Sequence, residues 1–267
     1  MPDRLSVLFL GDVIGRPGRR ALDIFLPPLV EELNPTLVIA NAENAAGGVG
    51  ITEKIGRDLF SQINVLTSGN HIWDKRDALE YLEQEPRILR PANYPDPNPG
   101  KGSYVWEGRQ GEKVGILNLQ GRVFMEPIEC PFRVADLEVK KLRSVTPVIV
   151  VDFHAEATSE KQALGWHLDG RVSAVIGTHT HVPTADERVL PKGTAYISDA
   201  GMVGGYDSVI GIKKEQALLR FLTSRPQRFE PSKERSVLSA VFVEIESKTG
   251  RAVSVQRRLV IGDGCGE

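Results

Sequence analysis

The segment Val172-Ser-Ala-Val-Ile-Gly-Thr-His-Thr-His181 combines an apolar run with a glycine and two histidines. Short apolar runs that end in turn-forming residues are typical of buried parallel strands. Five more runs have this form, at residues 5–10, 37–40, 63–66, 148–151 and 194–197. They lead, in that order, to Gly11-Asp12, Asn41-Ala-Glu43-Asn44, Gly69-Asn70-His71, Asp152-Phe-His154 and Ser198-Asp199. Open α/β sheets bind ligands at the carboxyl ends of their strands. Because these ends carry Asp, Glu, Asn and His, which are residue types that bind metal ions, the pattern predicts a metalloenzyme.

Length and composition are ordinary for a globular protein. The chain has 267 residues, of which 41% are hydrophobic and 25% charged, with a net charge of −2. No stripe of lysine and arginine stands out, so we expect no stable nucleic-acid complex. No run approaches the roughly 18 apolar residues of a membrane span, and we expect no membrane partner. Cys130 and Cys265 form no CxxC motif, so we expect a cytoplasmic protein with a buried Cys130 and a tail thiol at Cys265.

Helical and strand patterns alternate along the chain. Helical periodicity covers residues 19–33, 52–63, 77–82, 134–142, 159–168 and 214–222, with Thr52 as an N-cap. Two antiparallel hairpins are predicted, from residues 103–106 with 114–119 and from residues 237–245 with 253–261. We expect one α/β domain over residues 1–267, with mostly parallel central sheets, flanking helices and antiparallel edge hairpins. The exposed strand edges would allow a homo-oligomer.

Two short motifs carry much of the predicted chemistry. If the strand continues through them, we expect the imidazoles of His179 and His181 to lie on the same side of an extended segment, where they suit Zn, Fe, Mn or Co ions. The alternative is that both rings donate to backbone carbonyls. In Gly69-Asn70-His71, the asparagine offers a neutral oxygen ligand, and the next residue points elsewhere and is free for proton transfer. The alternative is an asparagine-capped turn with an exposed histidine.

Three further strand-end residues extend the set. An acid after a glycine, as at Asp12, also caps turns in many proteins. Glu43 follows an apolar run, so its carboxylate is expected to be partly buried and to need a cation or several donors. A carboxylate can bridge two metal ions, and two ions about 3.5–4 Å apart clamp both oxygens of an in-line displacement at phosphorus. His154 ends another strand and completes the set.

The order of these motifs resembles the calcineurin-like metallophosphoesterase superfamily, which implies an α/β sandwich. Two features depart from the usual pattern: Asp12-Val13-Ile14 lacks the histidine of Asp-x-His, and Glu43-Asn44 stands where Gly-Asp is usual. Together with Asp199-Ala-Gly-Met-Val-Gly204, these departures resemble the YmdB-like branch over nearly the whole length. That branch is associated with cyclic-nucleotide phosphodiesterase activity.

The resemblance implies a dinuclear metal site. One ion would be held by four residues, namely Asp12, Glu43, Asn44 and His181. The other would be held by Glu43, Asn70, His154 and His179. A hydroxide between the ions would attack the phosphorus of a small phosphodiester, such as a 2′,3′- or 3′,5′-cyclic nucleotide, and His71 would protonate the leaving alkoxide. A donor set without sulfur favours Fe or Mn and is compatible with Zn.

Other interpretations of the same residues remain open. A phosphomonoesterase could use the same site, and a regulatory metal- or nucleotide-binding protein could retain residual catalysis. An amidohydrolase is disfavoured, because those enzymes commonly carry their HxH pair early, on the first strand of a barrel. We expect His167 to have a surface or packing role. Tyr206, in a glycine-rich stretch, either stacks on a base or packs in a turn.

Overall fold

The computed structural model describes residues 3–262, and the predicted tail thiol Cys265 lies outside them. The strands are β1 (Arg4–Leu10), β2 (Asp12–Val13), β3 (Leu37–Asn41), β4 (Val65–Thr67), β5 (Ser103–Glu107), β6 (Lys113–Gln120), β7 (Ile149–His154), β8 (Ala174–Thr178), β9 (Arg188–Val189), β10 (Ala195–Ile197), β11 (Met202–Gly205), β12 (Ser236–Glu246) and β13 (Ala252–Gly262). The helices are α1 (Gly15–Leu33), α2 (Glu53–Leu59), α3 (Arg76–Gln84), α4 (Pro131–Arg143), α5 (Thr158–Leu168) and α6 (Lys214–Thr223).

The first sheet joins strands from both ends of the chain. Strands β1, β3 and β4 are parallel neighbours, and β12 runs antiparallel to β1. Strand β13 pairs with β12 along its whole length, as the predicted edge hairpin. The other side of β12 is shared by β1 and β11, and β2 is parallel to β11. Asp12 in β2 therefore follows β1 closely along the chain and pairs with Met202 of β11.

The second sheet has a parallel centre. Strands β6, β7, β8 and β10 are successive parallel neighbours. Strands β5 and β9 add antiparallel pairs at the two edges. The predicted α/β class, with mostly parallel sheets, flanking helices and antiparallel edge hairpins, is confirmed.

The core has one layer between the two sheets and one layer on the outer face of each sheet. Central strands are therefore buried on both faces, which explains their continuous apolar sequences. Alternate side chains of β1 point to opposite faces. Val7 and Phe9 join a cluster that contains Ile116 and Val150 of the second sheet, so the two sheets pack face to face. Leu8 and Leu10 pack in a second cluster with residues of α1. Each such fully buried side chain stabilises the fold by roughly 1.5–3 kcal/mol.

Some predicted boundaries are wrong. Helix α1 begins at Gly15, before Pro17, because a proline in the first helical turn loses no helical hydrogen bond. The helix predicted over residues 52–63 ends at Leu59, although Thr52 does cap it by accepting a hydrogen bond from the Ile55 amide. Strand β7 extends to His154, because pairing with β6 and β8 continues past Val151.

Two other expectations concern burial and organisation. Cys130 is half-buried directly before α4, so the prediction of a buried core cysteine is wrong. No helix within residues 3–262 is long and apolar enough to cross a membrane. The single domain stays a prediction.

Candidate metal centre

The predicted site residues lie where strand ends of the two sheets meet. Asp12 is in β2 and Glu43 follows β3 of the first sheet, whereas His154 ends β7 and His179 follows β8 of the second. The carboxyl ends of these strands converge, and Glu43 Oε1 lies 3.1 Å from His154 Nε2. The site is therefore assembled from both sheets.

Three potential ligand atoms surround a fourth, Nε2 of His154. This nitrogen lies 3.0 Å from Nδ1 of His179 and 3.2 Å from Oδ1 of Asn70, in addition to the Glu43 contact. One ligand atom each from Glu43, His154 and His179 lies within 4.8 Å of the others. These four residues are the set that the resemblance implies for one ion.

The remaining implied ligands adjoin the first four. Asp12 Oδ1 lies 3.8 Å from His181 Nε2. Nδ2 of Asn44 lies 3.3 Å from the same His181 nitrogen and donates to Glu43 Oε1 at 3.2 Å. Asp12 Oδ1 is buried and has no hydrogen-bond partner among the described residues. An orphaned buried carboxylate oxygen beside imidazole and amide ligands fits a bound cation, because burying it unpartnered is costly.

Hydrogen bonds outside the cluster orient two of the histidines. Nδ1 of His181 donates to the carbonyl of Ile210 at 2.9 Å, which leaves Nε2 facing Asp12 and Asn44. Thr178 Oγ1 donates to Asp152 at 2.7 Å, so it accepts from Nδ1 of His154 at 3.0 Å. Such partners fix the ring orientation of metal-binding histidines.

The electrostatics of the metal-free site favour an ion pair at its centre. Burial disfavours charge on Glu43, but His154 outweighs it and lowers the pKa of the Glu43 carboxyl to about 2. Burial likewise disfavours a charged His154, yet Glu43 and Asp12 raise its pKa to about 9. Burial, reinforced by His154, lowers the pKa of His179 to about 3. His179 is thus a neutral imidazole, the form that binds metals.

His71 lies beside the cluster, with its ring engaged elsewhere. Its backbone amide donates to Glu43 Oε2 at 3.0 Å. Its Nδ1 atom lies 2.9 Å from Asp74 Oδ2, and 37% of the side chain is exposed. Because Asp74 engages Nδ1, Nε2 is the ring nitrogen left for proton transfer.

The glycines of two motifs are required by close approaches. A Cβ atom on Gly69 would lie 2.1 Å from Cδ2 of His154. A Cβ atom on Gly11 would lie 2.0 Å from the carbonyl oxygen of Gly201. Glycine is therefore needed for Asn70 and Asp12 to reach the cluster.

Sequence reasoning missed residues that support the site. Glu156 Oε2 lies 3.1 Å from His179 Nε2, and no local pattern marks this loop residue. The sequence marks Asp199 as a strand-end acid and as the start of a family motif, but not as a partner of the two-histidine segment. Its Oδ2 atom accepts from the backbone amide of Thr180 at 3.0 Å and lies 2.8 Å from Nζ of Lys161, which is also buried. A lysine within a helical pattern would be expected at the surface.

His167 and Tyr206, which belong to no strand-end motif, lie outside the cluster. His167 Nε2 lies 2.9 Å from Oδ1 of Asp136. The guanidinium of Arg235 lies 5.2 Å from the ring centroid of Tyr206. Neither His167 nor Tyr206 is among the residues that line the cavity at the site.

A cavity of about 540 Å³ opens beside the cluster. Its described lining residues are Ile14, Glu43, Asn44, Gly47, Gly48, Val49, His71, Glu156, His179, Thr180, His181, Ile210, Ile212 and Phe229. This volume is in the range of small-molecule sites. The predicted ligands thus border a space that a small substrate could enter.

Comparison with known proteins gives evidence that is independent of the site geometry. A family model described as YmdB-like protein matches residues 8–258. The chain is 47% identical to a 2′,3′-cyclic-nucleotide 2′-phosphodiesterase of Bacillus subtilis, over 97% of this chain and 98% of the relative.

Two solved structures are also similar to the chain. A hypothetical protein from Thermus thermophilus has a TM-score of 0.90 and 43% identity, covering 96% of this chain and 99% of that one. A phosphatase of Mycoplasma pneumoniae has a TM-score of 0.92 and 37% identity, covering 99% and 96%. The resemblance predicted from the strand-end motifs is confirmed.

Proposed function

We propose that this chain, which belongs to the YmdB-like protein family, is a metal-dependent phosphodiesterase that hydrolyses nucleoside 2′,3′-cyclic phosphates. The Bacillus subtilis relative is named for that activity and matches along almost the entire chain. The arrangement of the site supports this choice of reaction, and the metal-ligand assignments are part of the proposal.

The observation that carries the proposal is the composition of the cavity. Four of the proposed ligands line it, namely Glu43, Asn44, His179 and His181, and none of its described lining residues is a lysine or an arginine. A phosphomonoester carries close to two negative charges at pH 7, whereas a diester carries one. A wall without cationic side chains, and with the carboxylate of Glu156, therefore favours the diester.

The donor set fits two metal ions. Asp12, Asn44 and His181 would hold one, Asn70, His154 and His179 would hold the other, and Glu43 would be shared. When bound, the ions would lower the pKa of water from 15.7 toward about 7 and so supply a nucleophile at neutral pH. Oxygen and imidazole ligands without sulfur suit Fe or Mn, and Zn is also compatible.

His71 is assigned the role of general acid. Asp74 contacts its Nδ1 atom, and His71 lines the same cavity as four of the proposed ligands. From there, the ring can donate a proton to the ribose oxygen as the ester bond breaks. A positioned histidine of this kind typically contributes about 10²–10⁴-fold in rate.

A substrate panel tests the proposal. Protein reconstituted with Mn²⁺ or Fe²⁺ is assayed on 2′,3′-cyclic AMP, 3′,5′-cyclic AMP, bis-p-nitrophenyl phosphate and p-nitrophenyl phosphate. We expect fastest turnover of 2′,3′-cyclic AMP, lost on chelation and in Asn70→Ala. Asn98→Ala is the matched control, because that half-buried asparagine donates to the nearby Pro95 carbonyl and does not line the cavity.

Other outcomes of the panel contradict the proposal. Preference for the monoester would make the chain a phosphomonoesterase, and preference for 3′,5′-cyclic AMP would change the substrate class. Bound metal without turnover of any ester would favour a regulatory binding protein.

A further inference from the structure

Several side chains that line the cavity are apolar and have no part in the proposed chemistry. Val49, Ile210, Ile212 and Phe229 line it together with the ligand residues. We propose that Phe229 and Ile210 form a subsite that holds the nucleobase of the substrate by stacking and apolar contact. This proposal rests on the proposed function and names the part of the substrate that the enzyme grips.

Exposure of these side chains is the first observation. Val49 is 36% exposed, Phe229 is 42% exposed and Ile210 is 49% exposed, although all three are apolar. They come from three separate segments and border the same cavity. Single exposed apolar residues are common, but several that converge on one concavity are typical of a ligand site.

The backbone next to Phe229 is hydrogen-bonded, and the ring lies near a guanidinium. The next residue, Glu230, donates its backbone amide to Gln216 Oε1 at 2.8 Å and accepts from the Lys213 amide at 3.0 Å. The guanidinium of Arg220 lies 5.9 Å from the ring centroid. An aromatic side chain has only two side-chain torsions, so on an ordered backbone it loses little conformational freedom when a base stacks on it.

Ile210 links the apolar wall to the metal centre. Its φ of 49° is a strained value for a β-branched residue. Its carbonyl accepts from Nδ1 of His181, and the following residue, Gly211, donates its amide to Ser208 Oγ at 2.8 Å. Strained residues of this kind persist where the surrounding structure holds them, and they cluster at functional sites. One residue thus orients a proposed metal ligand and presents an apolar side chain to the same cavity.

The chemistry of the wall predicts how the base is recognised. Val49, Ile210, Ile212 and Phe229 carry no side-chain hydrogen-bond donor or acceptor that could read a base edge. Of the polar residues that also line the cavity, Glu156 pairs with His179, and the Thr180 hydroxyl donates to Asp199. Stacking on an aromatic ring is tolerant of sequence, because every base has a π-face. The enzyme should therefore accept adenosine, guanosine, cytidine and uridine 2′,3′-cyclic phosphates with similar kcat/KM, yet it should depend on the presence of a base.

The test compares substrates with and without a base. Kinetics are measured on adenosine 2′,3′-cyclic phosphate and on 1-O-methylribose 2′,3′-cyclic phosphate. For Phe229→Ala, we expect KM for the adenosine substrate to rise about tenfold with kcat within twofold, since stacking on an aromatic ring typically contributes that much or more. The base-free substrate should be unaffected, and Phe229→Trp should restore the low KM.

Phe221→Ala is the matched control, because that phenylalanine is 79% exposed on α6 and does not line the cavity. An equal loss on both substrates, or no loss on either, would overturn the subsite. Wild-type protein that hydrolyses neither cyclic phosphate would instead refute the proposed function, and the subsite with it.

Discussion

At the scale of single residues, the proposed acid and the proposed ligands differ in what their imidazole rings contact. His154 and His179 lie against each other, 3.0 Å apart through their ring nitrogens, and His154 is fully buried. His71 instead turns its ring to Asp74 and keeps only its backbone amide on Glu43. A histidine one residue from a proposed ligand thus has a different chemical environment.

Replacing His71 by alanine should separate catalysis from metal binding. We expect kcat to fall about 10²–10⁴-fold, because the leaving oxygen loses its proton donor. Metal content, measured by mass spectrometry of the metals, should remain that of the wild type. Asp74→Asn should lose less activity, since the donor is misoriented but present. A parallel loss of metal and activity in His71→Ala would make His71 a ligand.

The pKa of His154 predicts how metal binding depends on pH. In the metal-free protein that pKa is about 9, so below pH 9 the ring carries a proton that a metal ion must displace. The apparent affinity for Mn²⁺ should therefore rise about tenfold per pH unit from pH 6 to 8. Calorimetry in buffers of different ionisation enthalpy should count one released proton. An affinity that does not change with pH would contradict this ion pair.

At the scale of elements, a helix supports the two-histidine loop from behind. Lys161 of α5 and Asp199 after β10 form an ion pair whose side chains are 3% and 1% exposed. Asp199 also accepts from the backbone and hydroxyl of Thr180, which lies between His179 and His181. The ion pair therefore joins a helix, a strand end and the loop that carries two proposed ligands.

Lys161→Met should unfold more easily, because it leaves the Asp199 carboxylate buried without its cation. We expect the free energy of unfolding to fall by about 3–5 kcal/mol, measured by urea denaturation. Metal content should fall as well, since Asp199 positions Thr180. Lys141→Met is the matched control: that lysine pairs with Glu138 at the surface, where loss costs at most about 1 kcal/mol. Equal effects of the two substitutions would contradict the supporting role.

At the scale of the whole molecule, the proposed ligands connect the two sheets. Asp12, Glu43 and Asn44 belong to the first sheet and its loops, and His154, His179 and His181 belong to the second. An ion bound by both sets binds the folded protein and not the unfolded chain. Metal should therefore raise the stability of the entire fold.

Thermal unfolding with and without metal measures this stabilisation. With free Mn²⁺ at about 100 times Kd, the folded state should gain about 2.7 kcal/mol relative to chelated protein. For a chain of this size, that corresponds to a rise in Tm of roughly 5–10 °C. Asn70→Ala should show a smaller rise, because one proposed ligand is missing. An identical Tm with metal and with chelator would argue against ions that connect the sheets.

Much of the fold and of the candidate site could be predicted from local patterns. Strands buried on both faces, such as β1 and β3, appear as continuous apolar runs, and their carboxyl ends can be located without coordinates. Boundaries were less predictable where pairing extends a strand, as at His154, or where a proline enters a first turn, as at Pro17. Supporting residues such as Glu156 carry no periodic signal.

The order of strand-end motifs, their ligand chemistry and the α/β class were properties of the sequence itself, because each depends on residues a few positions apart. Only the tertiary structure decided that strand ends of two sheets meet, that one Asp12 oxygen is orphaned, and that Phe229 borders the same cavity. For example, the backbone amide of His179 donates to Asp12, although the two residues are 167 positions apart along the chain. Contacts over such separations arise when two apolar sheet faces pack together, and no local pattern specifies which ends then converge.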